Sequence, residues 1–378
     1  MSKNFAQWQK LLRPFAIMLT LLILVVALPA MAAKHPEFIE KVYSRGIYPI
    51  LQNILQFLFA FLPFSFAEFA VILLVIGCVI WVFLFIKKIV RKDWYSCVRK
   101  VIQIGIIVLS IYFGFYLLWG FNYFRPSVIK QLGLEPQLYT QEPLERLCDT
   151  LVKQALSFRN LLPETDKQTV NMGSRKTIFA AVPEAYDRLQ ENSAFIKVKT
   201  GNPKPVLLLS KLMCSAHIAG IYFPFTGEAN VNIAPPPLYL SFYASHEIAH
   251  QQGIAREDEA NFTAYLAGVS SNDPRFRYAA SMMALAYAGS ALARVDEDAY
   301  RKLRASYSAG MQYDLREIYD FWQQYENTAM ERIATRMNDR YLKAQGQKTG
   351  TQSYGHMVDW LLAAFEKGMI DGQSFENL

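Results

Sequence analysis

The sequence predicts an α+β protein in which N-terminal transmembrane helices precede a mainly helical domain with a small antiparallel sheet. Three uncharged runs near the N-terminus are long enough to cross a bilayer. Two strand-like segments follow near the middle of the chain, and helical spacing of apolar residues fills most of the rest. We divide the chain into a membrane domain, residues 1–121, and an extracytoplasmic domain, residues 122–378.

The transmembrane helices are expected at residues 14–33, 69–86 and 101–121, none of which contains a charged residue. A fourth uncharged run, residues 46–67, carries Gln and Asn side chains and two prolines, which would be unusual in a helix that faces lipid. We interpret its first part, residues 46–63, as an amphipathic or re-entrant helix at the outer surface.

Basic residues predict the orientation. They are concentrated in residues 1–13 and 87–100, and the positive-inside rule puts both segments in the cytoplasm. An even number of crossings must separate them, so everything after about residue 122 is expected outside. A small-residue pattern near residue 30 leaves open that residues 14–33 are a cleaved signal peptide, which would not change this orientation.

The net charge of +7 comes from these two basic segments. The two cytoplasmic segments carry more than the whole positive excess, so the outer domain has no basic stripe for nucleic acid. The lipid bilayer is the partner that this charge pattern predicts.

The outer domain begins with a polar, proline-containing neck at residues 122–142. Strands are expected at 204–209 and 220–232, where Pro224 suggests an edge strand or a bulge. Helices are expected at 144–156, 183–191, from 239, and at 257–270, 274–294, 296–308, 312–325, 328–344 and 354–368. Cys148 and Cys214 share this compartment, where a disulfide is possible, although two buried free thiols are the favoured interpretation.

The stretch 245–261, SHEIAHQQGIAREDEAN, carries the chemistry. On a helix, His246 and His250 lie on one face, so both imidazoles can bind one Zn²⁺ ion. Glu247 would then be the general base for a water that the metal activates.

The sequence identifies the third ligand less directly. Gly253 provides a turn, but Arg256, which stands where the metzincin pattern has its ligand, cannot bind zinc. Glu257 follows and begins a new helix, whose small residues allow close packing against the histidine helix. Glu259 is the alternative ligand; with Glu257 on the metal, Asp258 and Glu259 are expected to be solvated neighbours in the first turn of the helix.

The residues EDEANFTA resemble the third-ligand motif of gluzincin peptidases. This resemblance implies a zincin-like domain in which Glu257 binds zinc and Asn261 supports a ligand histidine. Together with LLWGFNYFRP (117–126), GIYFPFTGEANVN (220–232) and QSYG (352–355), the motif also resembles an uncharacterised family of multi-pass bacterial membrane proteins regarded as candidate zinc peptidases. One difference from ordinary gluzincins is that only six residues separate His250 from Glu257.

Further candidates lack a spacing that ties them to the metal. Segment 220–232 precedes the histidine helix, where gluzincins have the edge strand that pairs with substrate, and Glu228 and Asn230 either line that cleft or cap a turn. His217 and Tyr354 are candidates for stabilising the oxyanion, against an ordinary packing role.

These observations predict a membrane-anchored zinc metallopeptidase that acts on a peptide or protein substrate, located in the bacterial cytoplasmic membrane with its catalytic domain outside. Two alternatives remain: a zinc hydrolase of a cell-wall or lipid-linked amide, and a non-catalytic zinc-binding sensor or scaffold. The sequence does not determine the substrate, the choice between endo- and exopeptidase, or the oligomeric state.

Overall fold

The computed structural model describes residues 7–136, 140–191 and 198–370, and most of these residues are helical. Three helices are long and apolar enough to cross a membrane: α1 (Leu12–Ala32), α3 (Phe66–Val90) and α4 (Trp94–Leu118). Their apolar side chains point outward, as expected for helices that contact lipid, and α1 packs along α4. The number and positions of these helices agree with the three predicted spans.

The segment between α1 and α3 is helical without being a further span. One turn at Pro36–Phe38 leads into a π-helix, Ile39–Ile47, and then into α2, Tyr48–Phe59. The helix α2 is amphipathic, as predicted, but its polar face is buried against the outer region: Gln52 donates to the carbonyl oxygen of Gly227 over 2.9 Å. The apolar side chains on its other face are exposed.

The expected polar neck is largely buried. It begins with a 3₁₀ turn, Gly120–Phe124, and Arg125 then forms a bidentate ion pair with Glu40 of the π-helix, at 2.6 and 2.9 Å. Val128 and Ile129 are completely buried in the main core. The ion pair therefore ties residues after position 121 to residues before it, and a second buried cluster, in which Tyr48 and Trp119 pack with Tyr222, does the same.

Helices form most of the outer region. In chain order it contains α5 (Gln141–Arg159), α6 (Arg175–Glu191), β1 (Lys204–Val206), α7 (Ser210–Ser215), β2 (Gly220–Phe223), β3 (Glu228–Asn232), α8 (Leu240–Gln251), α9 (Glu257–Ser270), α10 (Pro274–Val295), α11 (Glu297–Ala305), α12 (Ala309–Gln323), α13 (Ala329–Ala344) and α14 (Met357–Glu366). Helix α10 packs along α5 and across α9, and α9 packs against α8. Cys148 and Cys214 are buried free thiols, as favoured from the sequence.

The sheet differs from the prediction. Residues 220–232 form a hairpin of two antiparallel strands, with Pro224 and Gly227 in the turn, rather than one strand. β1 pairs with β3 in parallel, so the order is β1–β3–β2 and the sheet is mixed, not antiparallel. The crossover through α7 returns the chain to the far side of the sheet, and β3 then runs in the same direction as β1.

Two carboxylates connect the sheet to the membrane helix α3. Glu228 accepts hydrogen bonds from the backbone N–H groups of Phe66 and Ala67, at 3.1 and 2.8 Å, and so caps α3. Glu68, in the first turn of α3, accepts from the N–H groups of residues 207–209 at 2.6–3.1 Å. Each carboxylate satisfies backbone donors of the other segment that burial would otherwise leave without partners.

We expect Glu228→Ala to destabilise the protein by about 1–3 kcal/mol, because two buried N–H groups would lose their acceptor. The measurement is thermal unfolding in detergent. Glu297→Ala removes an exposed acid from the first turn of α11, where it pairs with Arg301 at 2.7 Å, and serves as the control. A surface pair of this kind contributes about 0–1 kcal/mol, so equal losses in the two variants would contradict the capping role.

Candidate metal centre

Helix α8 carries both histidines of the candidate site. Nearly every residue of α8 is buried, and the imidazole rings of His246 and His250 lie perpendicular with their centroids 4.7 Å apart. This follows from their spacing of four residues, which places them one turn apart on the same face. The Nδ1 atom of His250 lies 2.7 Å from the carbonyl oxygen of Ile254, which leaves Nε2 free to face the next helix.

The turn predicted at Gly253 brings Glu257 to the histidines. Gly253 has a φ of +81°, and the N–H of Ile254 donates back to the carbonyl of Ala249, which closes the end of α8. A Cβ at Gly253 would lie 3.0 Å from the ring of Tyr48 and 3.2 Å from Oδ1 of Asn122. Glycine is therefore required both by the backbone conformation and by the space.

The three predicted ligands form one cluster. Oε2 of Glu257 lies 3.2 Å from Nε2 of His246 and 3.4 Å from Nε2 of His250. Metal–ligand distances of about 2.0–2.1 Å in a tetrahedral zinc site place ligand atoms roughly 3.3 Å apart, so these separations fit that ion. Oε2 of Glu257 is buried, and it accepts no hydrogen bond of good geometry from any described residue.

The cluster is electrostatically coupled. Burial disfavours the Glu257 carboxylate, but the charge on His250 and the closeness of both imidazoles outweigh this effect and lower the pKa of Glu257. Burial likewise disfavours a charged His250, but the Glu257 carboxylate outweighs it and raises the pKa of His250 to about 9. Without a cation, a proton on His250 balances the Glu257 charge.

Glu247 lies beside this cluster, against the edge strand β2. Burial raises the pKa of Glu247, with the nearby histidines opposing the increase. Its Oε2 atom is buried and, within the part of the chain that the structure describes, has no hydrogen-bond partner. A Cβ at Gly220 would lie 2.5 Å from Oε1 of Glu247, so the carboxylate fits only because β2 has a glycine there.

Of the neighbouring acidic residues, Glu259 is buried, contrary to expectation, and Asp258 is half-buried. The Glu259 carboxylate accepts from the N–H of Val128 at 3.2 Å and from Arg256 at 3.3 Å. Asp258 accepts from Nε1 of Trp360 at 2.9 Å. The alternative ligand, Glu259, is thus engaged with the neck and with Arg256, and it does not belong to the metal cluster.

Asn261 and Tyr354 both lie near the cluster, and Asn261 does so in a different way from that expected. Asn261 donates to the hydroxyl of Tyr287 at 3.1 Å and not to a ligand histidine. Tyr354 is close enough for its pKa to be raised by burial and then by the charges of Glu257 and Glu247. Asn338 of α13 donates to the Tyr354 hydroxyl over 3.4 Å.

Three other predicted candidates have structural partners elsewhere. His217 pairs with Glu331 at 3.4 Å and stacks near Trp322, Glu228 caps α3, and the Asn230 side chain donates to backbone carbonyls within the hairpin. None of them belongs to the metal cluster. In the sequence they resembled residues that line a substrate cleft, because residues in hairpins and helix caps are polar as well.

Several aromatic residues next to the cluster were missed. Trp119 donates from Nε1 to the carbonyl of His250 at 2.8 Å, and Tyr48 donates to the carbonyl of Gln251 at 2.6 Å. Tyr123 donates to Tyr341 at 3.1 Å, and burial followed by Tyr341 and Glu257 raises the pKa of Tyr123. The aromatic run at 117–126 was the available signal, but its spacing does not indicate a contact with α8.

The family described as "Protein of unknown function (DUF3810)" matches residues 43–362. The chain belongs to the DUF3810 family. No curated protein and no solved structure matches it. The region matched to DUF3810 includes the three clustered residues, the two aromatic residues that hold the end of α8, and all three strands.

We expect Glu257→Gln to weaken zinc binding by more than the roughly 10–100-fold that loss of an outer-shell partner costs, because the amide cannot supply an anionic oxygen. Asp258→Asn is the matched control, since the adjacent amide still accepts from Trp360. Zinc content after dialysis against a chelator series measures the difference. Equal zinc content in the two variants would exclude Glu257 as a ligand.

Zinc affinity should increase with pH up to about 9, because binding requires neutral imidazole and the metal-free protein retains a proton on His250 until its pKa of about 9. The expected slope is about tenfold per pH unit above neutrality. Competition with a chelator of known protonation behaviour measures it. An affinity that is constant from about pH 7 upward, as for a histidine with an ordinary pKa, would contradict the coupling.

Proposed function

We propose that this protein is a membrane-anchored zinc metallopeptidase, with Zn²⁺ held by His246, His250 and Glu257. One observation carries the proposal: the buried, unpaired Oε2 atom of Glu247 lies beside a cluster of three candidate ligands whose ligand atoms all lie within 4.8 Å of one another. A purely structural zinc site needs no such carboxylate, since it would be completed by a fourth protein ligand. The described residues include no fourth His, Cys, Asp or Glu in this cluster.

A bound zinc ion would lower the pKa of a water and polarise the scissile carbonyl. The protein's own contribution is Glu247, whose carboxylate accepts the proton of the attacking water and returns it to the leaving amine. Burial, which raises the pKa of Glu247, favours a carboxyl group that can hold this proton between the two steps.

The edge strand supports a peptide as the substrate. β2 pairs with β3 on one side only, and it lies directly against Glu247 through Gly220. A peptide added to the free edge of β2 would have its backbone beside the candidate base. Tyr354 supports the assignment further: a buried phenol with a raised pKa remains protonated and can donate to a developing oxyanion.

We expect Glu247→Gln to abolish hydrolysis while leaving zinc content unchanged, because the amide cannot accept the proton but has nearly the same shape. The test is metal analysis together with cleavage of a peptide library by the full-length protein in detergent. Asp258→Asn is the control for replacing a neighbouring carboxylate. Parent activity in Glu247→Gln, or parent protein that binds no zinc, would refute the proposal.

A further inference from the structure

We propose that the site acts on polypeptides tethered to the same membrane and cleaves them within a few residues of the bilayer. This inference rests on the proposed peptidase function and specifies its substrate class. It follows from the depth of the metal cluster, from an exposed apolar stripe on α13, and from the contacts that α13 and β2 both make next to the cluster.

The cluster lies at the level of the membrane surface. After Lys100 the chain has no charged residue until Arg125, and about 20 helical residues cross the hydrocarbon core, so α4 leaves it near Trp119. Trp119 is the residue that donates to the carbonyl of His250, and its ring centroid is 5.9 Å from that of the ligand imidazole. This depth is the same whichever side of the membrane the domain occupies.

The outer region also contacts the last turns of α4 directly. Tyr116 donates to Gln345 at 3.2 Å, the rings of Phe115 and Tyr341 are 6.5 Å apart, and a Cβ at Gly114 would lie 3.4 Å from the ring of Phe225. Since these α4 residues belong to the predicted span, the β2–β3 turn and the end of α13 reach the outermost part of the bilayer. A folded soluble protein has little room to approach at this level.

Helix α13 has the composition of a helix that lies on a membrane. Its buried face contains Leu342, and beside that face runs an exposed apolar stripe with helical spacing. Exposed basic residues border the stripe, as in helices that bind anionic lipid surfaces. The stripe consists of Met330, Ile333, Met337 and Tyr341, and the basic border consists of Arg332, Arg336, Arg340 and Lys343.

The bilayer is the occupant of this stripe that the contacts favour. Tyr341, the last residue of the stripe, contacts Phe115 of α4, and Phe115 stacks on Tyr112, which is exposed on the same helix, so the stripe adjoins the surface that α4 presents to lipid. The basic border complements the anionic headgroups next to that surface. A second protein bound to the stripe would need a surface complementary to both the apolar residues and the basic border. It would also need to fit against the plane of the membrane.

Helix α13 and strand β2 both lie next to the cluster. Asn338 and Tyr341 of α13 bond to Tyr354 and Tyr123, and the N–H of Glu257 lies 3.5 Å from Oε1 of Gln347, just beyond the end of α13. Strand β2 contacts Glu247 through Gly220 and exposes Ile221. A chain that emerges from the bilayer beside α13 is therefore already at the depth of the edge strand.

The test uses a reporter with a single lipid anchor and two copies of the same randomised peptide cassette. One copy lies a few residues from the anchor, and the other lies beyond a small folded domain that holds it away from the surface. Full-length protein and reporter are reconstituted in the same vesicles, and mass spectrometry counts cuts in each cassette. Because both cassettes belong to one molecule, their ratio does not depend on surface concentration.

We expect the cassette next to the anchor to be cut with about a tenfold or greater preference, the ratio that a difference in effective concentration at the site produces. Equal cutting of the two cassettes would overturn this inference and leave the proposed peptidase function intact. Cutting of neither cassette, by protein that binds zinc or by protein that does not, would overturn the proposed function and this inference with it.

A second measurement does not depend on activity. A fluorophore is attached to Met337→Cys in a Cys78→Ala background, which removes the exposed thiol, and lipid-borne quenchers report its depth. Leu161→Cys, at a residue 69% exposed against 66% for Met337, is the matched control beyond the end of α5. We expect quenching at Met337→Cys and not at Leu161→Cys. Equal quenching at both positions, or no quenching at Met337→Cys, would show that α13 does not contact the bilayer and would overturn the inference.

Discussion

The left-handed turn at Gly253 is the constraint on which the metal cluster depends. Six residues separate His250 from Glu257, and within them α8 must end, the chain must reverse, and α9 must begin. The carbonyl of Gly253 accepts a hydrogen bond from Arg125 at 3.2 Å, and Arg125 is held by Glu40. The geometry of the ligands is thus set by two charged residues that lie far from them in sequence. A larger side chain at Gly253 would displace the rings and amides packed against the turn.

Local patterns in the sequence predicted the parts of the structure that depend on local spacing. The apolar runs gave the positions of the three long helices, and the spacing of four residues between the histidines correctly predicted their proximity. The errors concern partners remote in sequence. Glu228 was left open between lining a cleft and capping a turn, and Glu259 between a solvated residue and a ligand, because nothing near them indicates the backbone donors of α3 and the neck. The parallel pairing of β1 with β3 was missed for the same reason: strand pairing is decided by the path of the chain between strands.

The buried tyrosine hydroxyls around the cluster are kept protonated in part by the nearby acidic residues. Burial, reinforced by the Glu257 carboxylate, raises the pKa of Tyr123, Tyr287 and Tyr354 and keeps these hydroxyls protonated. Protonated hydroxyls provide hydrogen-bond donors without adding negative charge next to the ligands. The cluster therefore combines one anionic carboxylate with neutral donors, an arrangement that would suit the proposed cation and a developing charge on a substrate oxygen.

The carboxylate contacts between α3 and the sheet determine which part of the chain can fold on its own. A soluble fragment beginning at residue 122 would keep Arg125 and Glu228 but lose Glu40 and the N-terminus of α3, their partners. Leaving a buried charge without its partner costs about 3–5 kcal/mol, which is comparable to the whole stability of many domains. Such a fragment would lack part of its interior, because the segments before residue 122 supply it. The N-terminal helices are thus part of the folded structure that holds the cluster.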